Sequence, residues 1–184
     1  MSDYEVNLKI LLQQMLRKGH IKSKKERDDL LISATDEISE LVIANNCGQH
    51  RLISMDSIRS NLNFRLFRKL ISHLEENGMN KRIEHIPSWS ELNQLENADM
   101  PLPRPVLCVL MAYSKMEVFD ALSSSEMPLE EEFTKYYQEY LPWTVRDSFG
   151  ENVIDHPLKK EIISTVLTNR ITNQAGSTFM SRMA

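Results

Sequence analysis

Apolar residues recur in this chain at steps of three and four almost from end to end, and no stretch alternates apolar with polar over the length of a strand. That spacing puts side chains on one face of a helix, whereas a half-buried sheet needs a period of two. The start and stop signals agree with it. Ser2 and Glu5 form an S-x-x-E capping box ahead of Leu8, Leu11, Leu12 and Met15, and Gly19 supplies a stop. Ser23 and Glu26 repeat the box before Leu30, Leu31, Ile38, Leu41 and Val42. One helix, or two broken near Thr35, would fit, with a stop between Asn45 and Gly48. Ile58, Leu62, Leu66, Leu70 and Leu74 then run at a strict four-residue step, broadened by Phe64, Phe67 and Ile71. This predicts a long helix over about 54–77, ended by Gly78.

Residues 79–104 read differently, because Pro87, Pro101, Pro103 and Pro105 bracket a short segment capped by Ser88 and Glu91. An ordered loop carrying about two helical turns is expected there. Pro105 suits a first helical residue, and Val106 to Leu122 are apolar around nearly the whole circumference, which predicts a helix buried on most sides. Leu129 to Leu141 follow as a helix, acidic at Glu130, Glu131 and Glu132, then aromatic at Phe133, Tyr136, Tyr137 and Tyr140, and closed by Pro142. A last helix starts at Asp155 or Pro157 and carries Leu158, Ile162, Ile163, Val166, Leu167 and Ile171 up to Gly176. The expected fold is all-α, an irregular bundle of about six to eight helices around a central apolar helix at about 105–122. Its divisions are N-terminal helices over 1–78, the proline-bracketed connection over 79–104 and C-terminal helices over 105–184, together one compact domain.

Composition removes several functions. The chain has 184 residues but only 5 glycines, at 19, 48, 78, 150 and 176, so neither a P-loop nor a G-x-G-x-x-G turn can be written. With 22 Lys and Arg against 26 Asp and Glu, it lacks the basic surplus that nucleic acid selects, and no nucleic-acid partner is expected. Cys47 and Cys108 lie too far apart for a metal knuckle or a C-x-x-C pair and read as reduced thiols. The N-terminus has no signal-peptide pattern and no long apolar run occurs, so a soluble cytoplasmic protein without a membrane partner is expected.

The residues that could carry chemistry are scattered. His20, His50, His73, His85 and His156 show no metal-pair spacing, so no metal ligand is expected. Asp36, Glu37 and Glu40 read as a solvated helix face, and Lys22, Lys24, Lys25 and Arg27 as an exposed helix start. Lys115 lies midway along the most apolar helix, where it is either a snorkelling or ion-paired side chain or, with Tyr113, Tyr136 and Tyr137, the seed of a small-molecule site. Asn169 and Asn173, one turn apart, are either buried amides that order the chain's exit at 174–177, contacts to a partner, or plain surface. There is no G-x-S-x-G. No catalytic residue can be assigned from the residues alone.

Five segments, in order, resemble the chain beyond the nucleotide domain of the large bacterial NAD-specific glutamate dehydrogenases. They are 2–12 (SDYEVNLKILL), 34–42 (ATDEISELV), 83–88 (IEHIPS), 103–115 (PRPVLCVLMAYSK) and 156–163 (HPLKKEII), the last continuing through Asn169 to Asn173. The likeness covers about residues 2–183. It implies the helical C-terminal part of an enzyme that oxidatively deaminates L-glutamate to 2-oxoglutarate and ammonia, with hydride passing to NAD. In that family the glycine-rich dinucleotide fold, the catalytic lysine and the catalytic aspartate lie upstream. The resemblance therefore implies no catalytic or cofactor-binding residue and no cofactor in this chain, with NAD belonging to the full-length enzyme. Ser2 matches a serine that approaches the substrate carboxylate, so it is the one substrate-binding candidate. It lacks the Asn-x-Gly-type turn that would position it, so its first reading is an N-cap. A start at Met1 beside that serine implies a truncated or split frame, or a cloned fragment, inactive alone. Its expected partner is the catalytic portion of the same enzyme, or a second copy of itself. The rival reading is a free-standing helical interaction module.

Overall fold

In the computed structural model residues 2–150, 153 and 156–183 are described, and among them every regular element is a helix. In chain order these are α1 (Asp3–Arg17), α2 (Lys24–Ser33), α3 (Thr35–Leu62), α4 (Phe64–Glu76), α5 (Trp89–Asn97) and α6 (Arg104–Ser124). Two single 3-10 turns, Met127–Leu129 and Glu131–Phe133, then precede α7 (Thr134–Tyr140), α8 (Trp143–Phe149), α9 (Lys159–Ala175) and α10 (Phe179–Met183). The all-α class is borne out.

The serines at the expected starts do cap their helices. The hydroxyl oxygens of Ser2, Ser23 and Ser88 accept the N–H groups of Glu5, Glu26 and Glu91 at 3.3, 3.1 and 3.3 Å. Each removes one of the orphan donors of a helix start. At Ser88 the box is reciprocal, since the Glu91 carboxylate accepts the Ser88 hydroxyl at 2.8 Å and the Ser88 N–H at 2.7 Å, which hold its carboxyl below the usual carboxylate range.

Four boundaries differ from the expectation. The chain does break at Ala34, but α3 then runs straight through Asn45 to Gly48 and on to Leu62. The expected 54–77 helix is divided at Asn63, whose side chain accepts the Leu66 N–H at 3.2 Å and so caps a new helix. Along the four-residue row, Ile58 and Leu62 are 55% and 80% exposed while Leu70 and Leu74 are buried, so the row is not one core face. The 129–141 helix is shortened by the two 3-10 turns, and α8 beyond Pro142 was unforeseen. Finally, α9 begins at Lys159; of the two expected starts, Pro157 precedes it and Asp155 lies outside the described residues.

The helix at 105–122 also needs correction. In α6 the side chains of Val106, Leu107, Leu110, Ser114 and Val118 are buried, but Cys108, Ala112 and Met116 are exposed, Met116 to 57%. An apolar circumference is thus buried along one stripe and open along another.

By its contacts the chain divides into two units, residues 1–46 with 122–167, and residues 47–121 with 168–184. In the first, Leu8, Leu11, Leu12 and Met15 of α1 form a buried stripe, and Ile38, Tyr137, Val145, Ile162 and Ile163 of the same unit are also buried. In the second, Phe67, Leu70, Ile71 and Leu74 of α4 join Leu92, Leu102, Leu107 and Leu110 in one cluster, and α10 packs on α4. Burying side chains of this size stabilises by about 1.5–3 kcal/mol each.

Candidate functional site

The first unit carries the feature best shaped for recognition. Val6, Lys9, Ile10, Gln13, Gln14 and Arg17 recur along α1 at the spacing of a single helical stripe, beside the buried one. With Arg27, Asp28 and Leu31 of α2 and Pro157 they line an open groove of about 830 Å³. A second groove of about 510 Å³ shares Lys9 and Leu31 with the first, and brings in Ile32 of α2 and Ile38, Val42 and Ile43 of α3. The floor is aliphatic and the rim is charged. Lys9 pairs with Glu5 at 2.5 Å, and Arg27 holds Asp28 at 2.6 Å and the Gln13 amide oxygen at 2.6 Å. The buried amide oxygen of Gln14 has no hydrogen-bond partner among the described residues. The wall opposite α1 is unusual, because α2 carries Leu30, Leu31 and Ile32 and yet has no buried residue, with Ile32 72% exposed. Lining of this kind binds, and it has no nucleophile or base pair for chemistry.

The sequence candidates fall elsewhere or are already engaged. Ser2 sits at the entrance to α1 in extended backbone, its oxygen taken by Glu5. In the second unit Lys115 is half-buried and donates to the Asn169 side-chain oxygen at 2.8 Å; burial lowers its ammonium pKa to about 8. Tyr113 donates to Glu84 at 2.8 Å. Tyr136 and Tyr137 belong to the other unit, where Tyr137 is fully buried and donates to the Val153 carbonyl at 2.7 Å. Asn173 lies so close to Gly48 that a Cβ there would stand 2.8 Å from its nitrogen. Among the histidines, His73 meets Glu117 at 3.0 Å and His156 is buried between the Asn7 carbonyl and the Leu158 N–H, while His20, His50 and His85 are exposed. Among the described residues no three His, Cys, Asp or Glu side chains gather as a metal site.

Two carboxylates escaped the sequence reading. Glu37 is not simply solvated, since its carboxylate accepts both the N–H of Thr144, at 3.2 Å, and the Thr144 hydroxyl. It caps α8, whose preceding Pro142 offers no capping side chain. Asp56, buried in α3, accepts the Ser177 N–H at 2.9 Å and the Arg59 guanidinium at 3.0 Å. Neither contact leaves a local sequence signal.

A dinucleotide does not fit these residues. The glycines with positive φ, at 19, 78, 150 and 176, all follow helix C-termini, whereas a phosphate cradle needs them at a helix start behind a strand.

The model of the family described as "Glutamate dehydrogenase, C-terminal" matches residues 99–184, and that of "Bacterial NAD-glutamate dehydrogenase, catalytic domain" matches residues 1–56. Among curated proteins, the "NAD-specific glutamate dehydrogenase" of Pseudomonas aeruginosa is 33% identical over 183 residues. Its namesakes in Mycobacterium tuberculosis and Halomonas elongata are 33% and 30% identical over 184 and 183 residues. Over nearly its whole length the chain is similar to the bacterial NAD-specific glutamate dehydrogenases. The match covers 99–100% of the chain but only 11% of each of these relatives. The boundary of the catalytic-domain match, residue 56, falls in α3, so α1, α2 and both grooves lie inside that match except for Pro157. Among the described residues no helix is long and apolar enough to cross a membrane.

Proposed function

We propose that this chain is the helical C-terminal part of a cytoplasmic NAD-dependent glutamate dehydrogenase and works packed against that enzyme's catalytic portion. The assembled enzyme oxidatively deaminates L-glutamate to 2-oxoglutarate and ammonia, passing hydride to NAD. This chain supplies neither the dinucleotide cradle nor a catalytic residue. Ser2, whose oxygen is occupied as an N-cap acceptor, keeps a hydroxyl hydrogen that a substrate carboxylate brought by the catalytic portion could accept. The observation that supports the reading is the uncovered apolar wall of α1 and α2, which lies in the stretch similar to the family's catalytic domain.

The test is co-expression with the Pseudomonas aeruginosa relative cut back by the region equivalent to this chain. Glutamate-dependent NAD reduction should require both pieces, and the two should co-purify. Activity from this chain alone, or two pieces that neither associate nor turn over glutamate, would overturn the proposal. The second reading, a self-associating interaction module, is favoured by the same open wall. It would show as a dimer that ignores the catalytic portion.

A further inference from the structure

We infer that the groove between α1 and α2 receives an amphipathic helix of about three turns, acidic along its flanks, from the catalytic portion of the enzyme. This rests on the reading that the chain works packed against that portion.

Length comes first. The α1 side of the groove runs from Val6 to Arg17 as one stripe, roughly 16 Å at 1.5 Å per residue. A trough of that length, aliphatic at Val6, Ile10, Leu31 and Pro157 and lined by the amides of Gln13 and Gln14 toward Arg17, matches one face of a short amphipathic helix, read as anchors at i, i+3, i+4 and i+7. The state of α2 points the same way. A ten-residue helix with no buried side chain rests mainly on α1 and α8, and isolated helices of that length are marginal in water. A helix laid beside it would cover Leu31 and turn a two-helix wall into a three-helix layer.

Charge then selects the partner. Lys9, Arg17 and Arg27 line the groove with Asp28; Lys9 is paired with Glu5 and Arg27 with Asp28, while Arg17 has no ion pair or hydrogen bond among the described residues. The turn after α1 and the first turn of α2 add exposed Lys18, Lys22, Lys24 and Lys25 at the same end. Of these, Lys22, Lys24 and Lys25, with Arg27, read in sequence as an exposed helix start. Cations on both walls of an apolar trough reject a basic-flanked helix and steer an acidic one.

The probe is a fluorescein-labelled amphipathic peptide of about 14 residues, with leucines at helical spacing and glutamates on the flanks, titrated against the 184-residue chain by anisotropy. It should bind, weaken as salt rises, and outbind a lysine-flanked peptide with the same leucines by about tenfold or more. Arg17→Glu with Arg27→Glu should reverse that preference. Should the double variant lose helix content, Arg17→Glu alone serves, since that side chain holds nothing in place. Equal binding of both peptides, binding of neither, or a dimer of the chain that the same substitutions dissociate would overturn the inference. In the co-expressed enzyme, charge reversal should weaken assembly. An active assembly indifferent to Arg17→Glu would sink this inference alone, while absence of any assembly sinks the proposed function.

Discussion

The carboxylate of Asp56 in α3 and the backbone N–H of Ser177, just past α9, meet at 2.9 Å although 121 positions separate them. The other carboxylate oxygen holds Arg59 at 3.0 Å, and Gly176 lies against this pair with φ +87. A Cβ on Gly176 would come within 2.4 Å of the Arg59 guanidinium and 2.9 Å of the Asp56 carboxylate. Gly176→Ala should therefore cost at least about 1–2 kcal/mol from the left-handed backbone alone. Asp56→Ala should cost about 2–3 kcal/mol by leaving a buried N–H unpaired. Urea denaturation of both variants measures this, and stability within a few tenths of the parent would refute the account.

Gly48 makes a sharper case, because alanine is the better helix former by about 1 kcal/mol and sits at a position where φ is ordinary. The obstacle is Asn173, whose nitrogen would be 2.8 Å from the new methyl group. Gly48→Ala is expected to be neutral or destabilising by itself and stabilising in an Asn173→Ala background. A double-mutant cycle with a coupling near zero would show that the two do not touch.

Lys115→Met should leave stability unchanged or raise it by on the order of 1 kcal/mol, since a half-buried ammonium is removed but much of its cost is already screened by water. For the parent, the ammonium pKa is about 8 when folded against an ordinary 10.5, so the folded state holds fewer protons between these values. Stability from this group is present above about 10.5 and is lost as pH falls through that window toward 8. A Lys115→Met protein that unfolds at much lower urea would instead mark the amine as an essential partner.

Ser2→Ala should cost about 1 kcal/mol by uncapping α1, with Ser2→Asp close to the parent. If Ser2 also meets the substrate carboxylate, Ser2→Ala in the assembled enzyme should raise the KM for glutamate while Ser2→Asp, a good cap but an anion, raises it further. Equal KM values in all three would leave only the cap.

His156 gives a pH prediction of the same origin as Lys115, at lower pH. Burial lowers its pKa from 6.5, only partly offset by the hydrogen bond to the Asn7 carbonyl. Its other ring nitrogen accepts the Leu158 N–H at 2.9 Å, so a second proton has no place. The unfolded chain takes up that proton first as pH falls below about 6.5, and stability held above that pH is lost on the acid side. An NMR titration should find the His156 ring titrating below 6.5; a value above it would be inconsistent with this environment.

These residues also show why some features are legible in sequence and others are not. Ser2, Ser23 and Ser88 announce helix starts because a cap and the N–H it accepts lie within four residues. Asn63 caps as they do, yet it is hidden inside a row of leucines at the correct step for continuing. Gly48 looks like a stop for the same local reason, whereas its lack of a side chain answers to Asn173, far along the chain. Glu37 and Thr144 are 107 positions apart, so no window reveals that an acid in α3 caps α8. The groove was equally hidden, since 6, 9, 10, 13, 14 and 17 are spaced as any helix face would be. What made it a groove is the way α2 leans on α1.

That α2 holds no buried side chain has a kinetic consequence. Opening it strips little apolar surface from the core, so its amides should exchange with solvent long before those of α1 or α4. Lys22, Lys24 and Lys25 stand exposed along its entrance, and trypsin should nick the free chain there first. The lifetime of that bond to protease would then report, cut by cut, how often the wall is left uncovered.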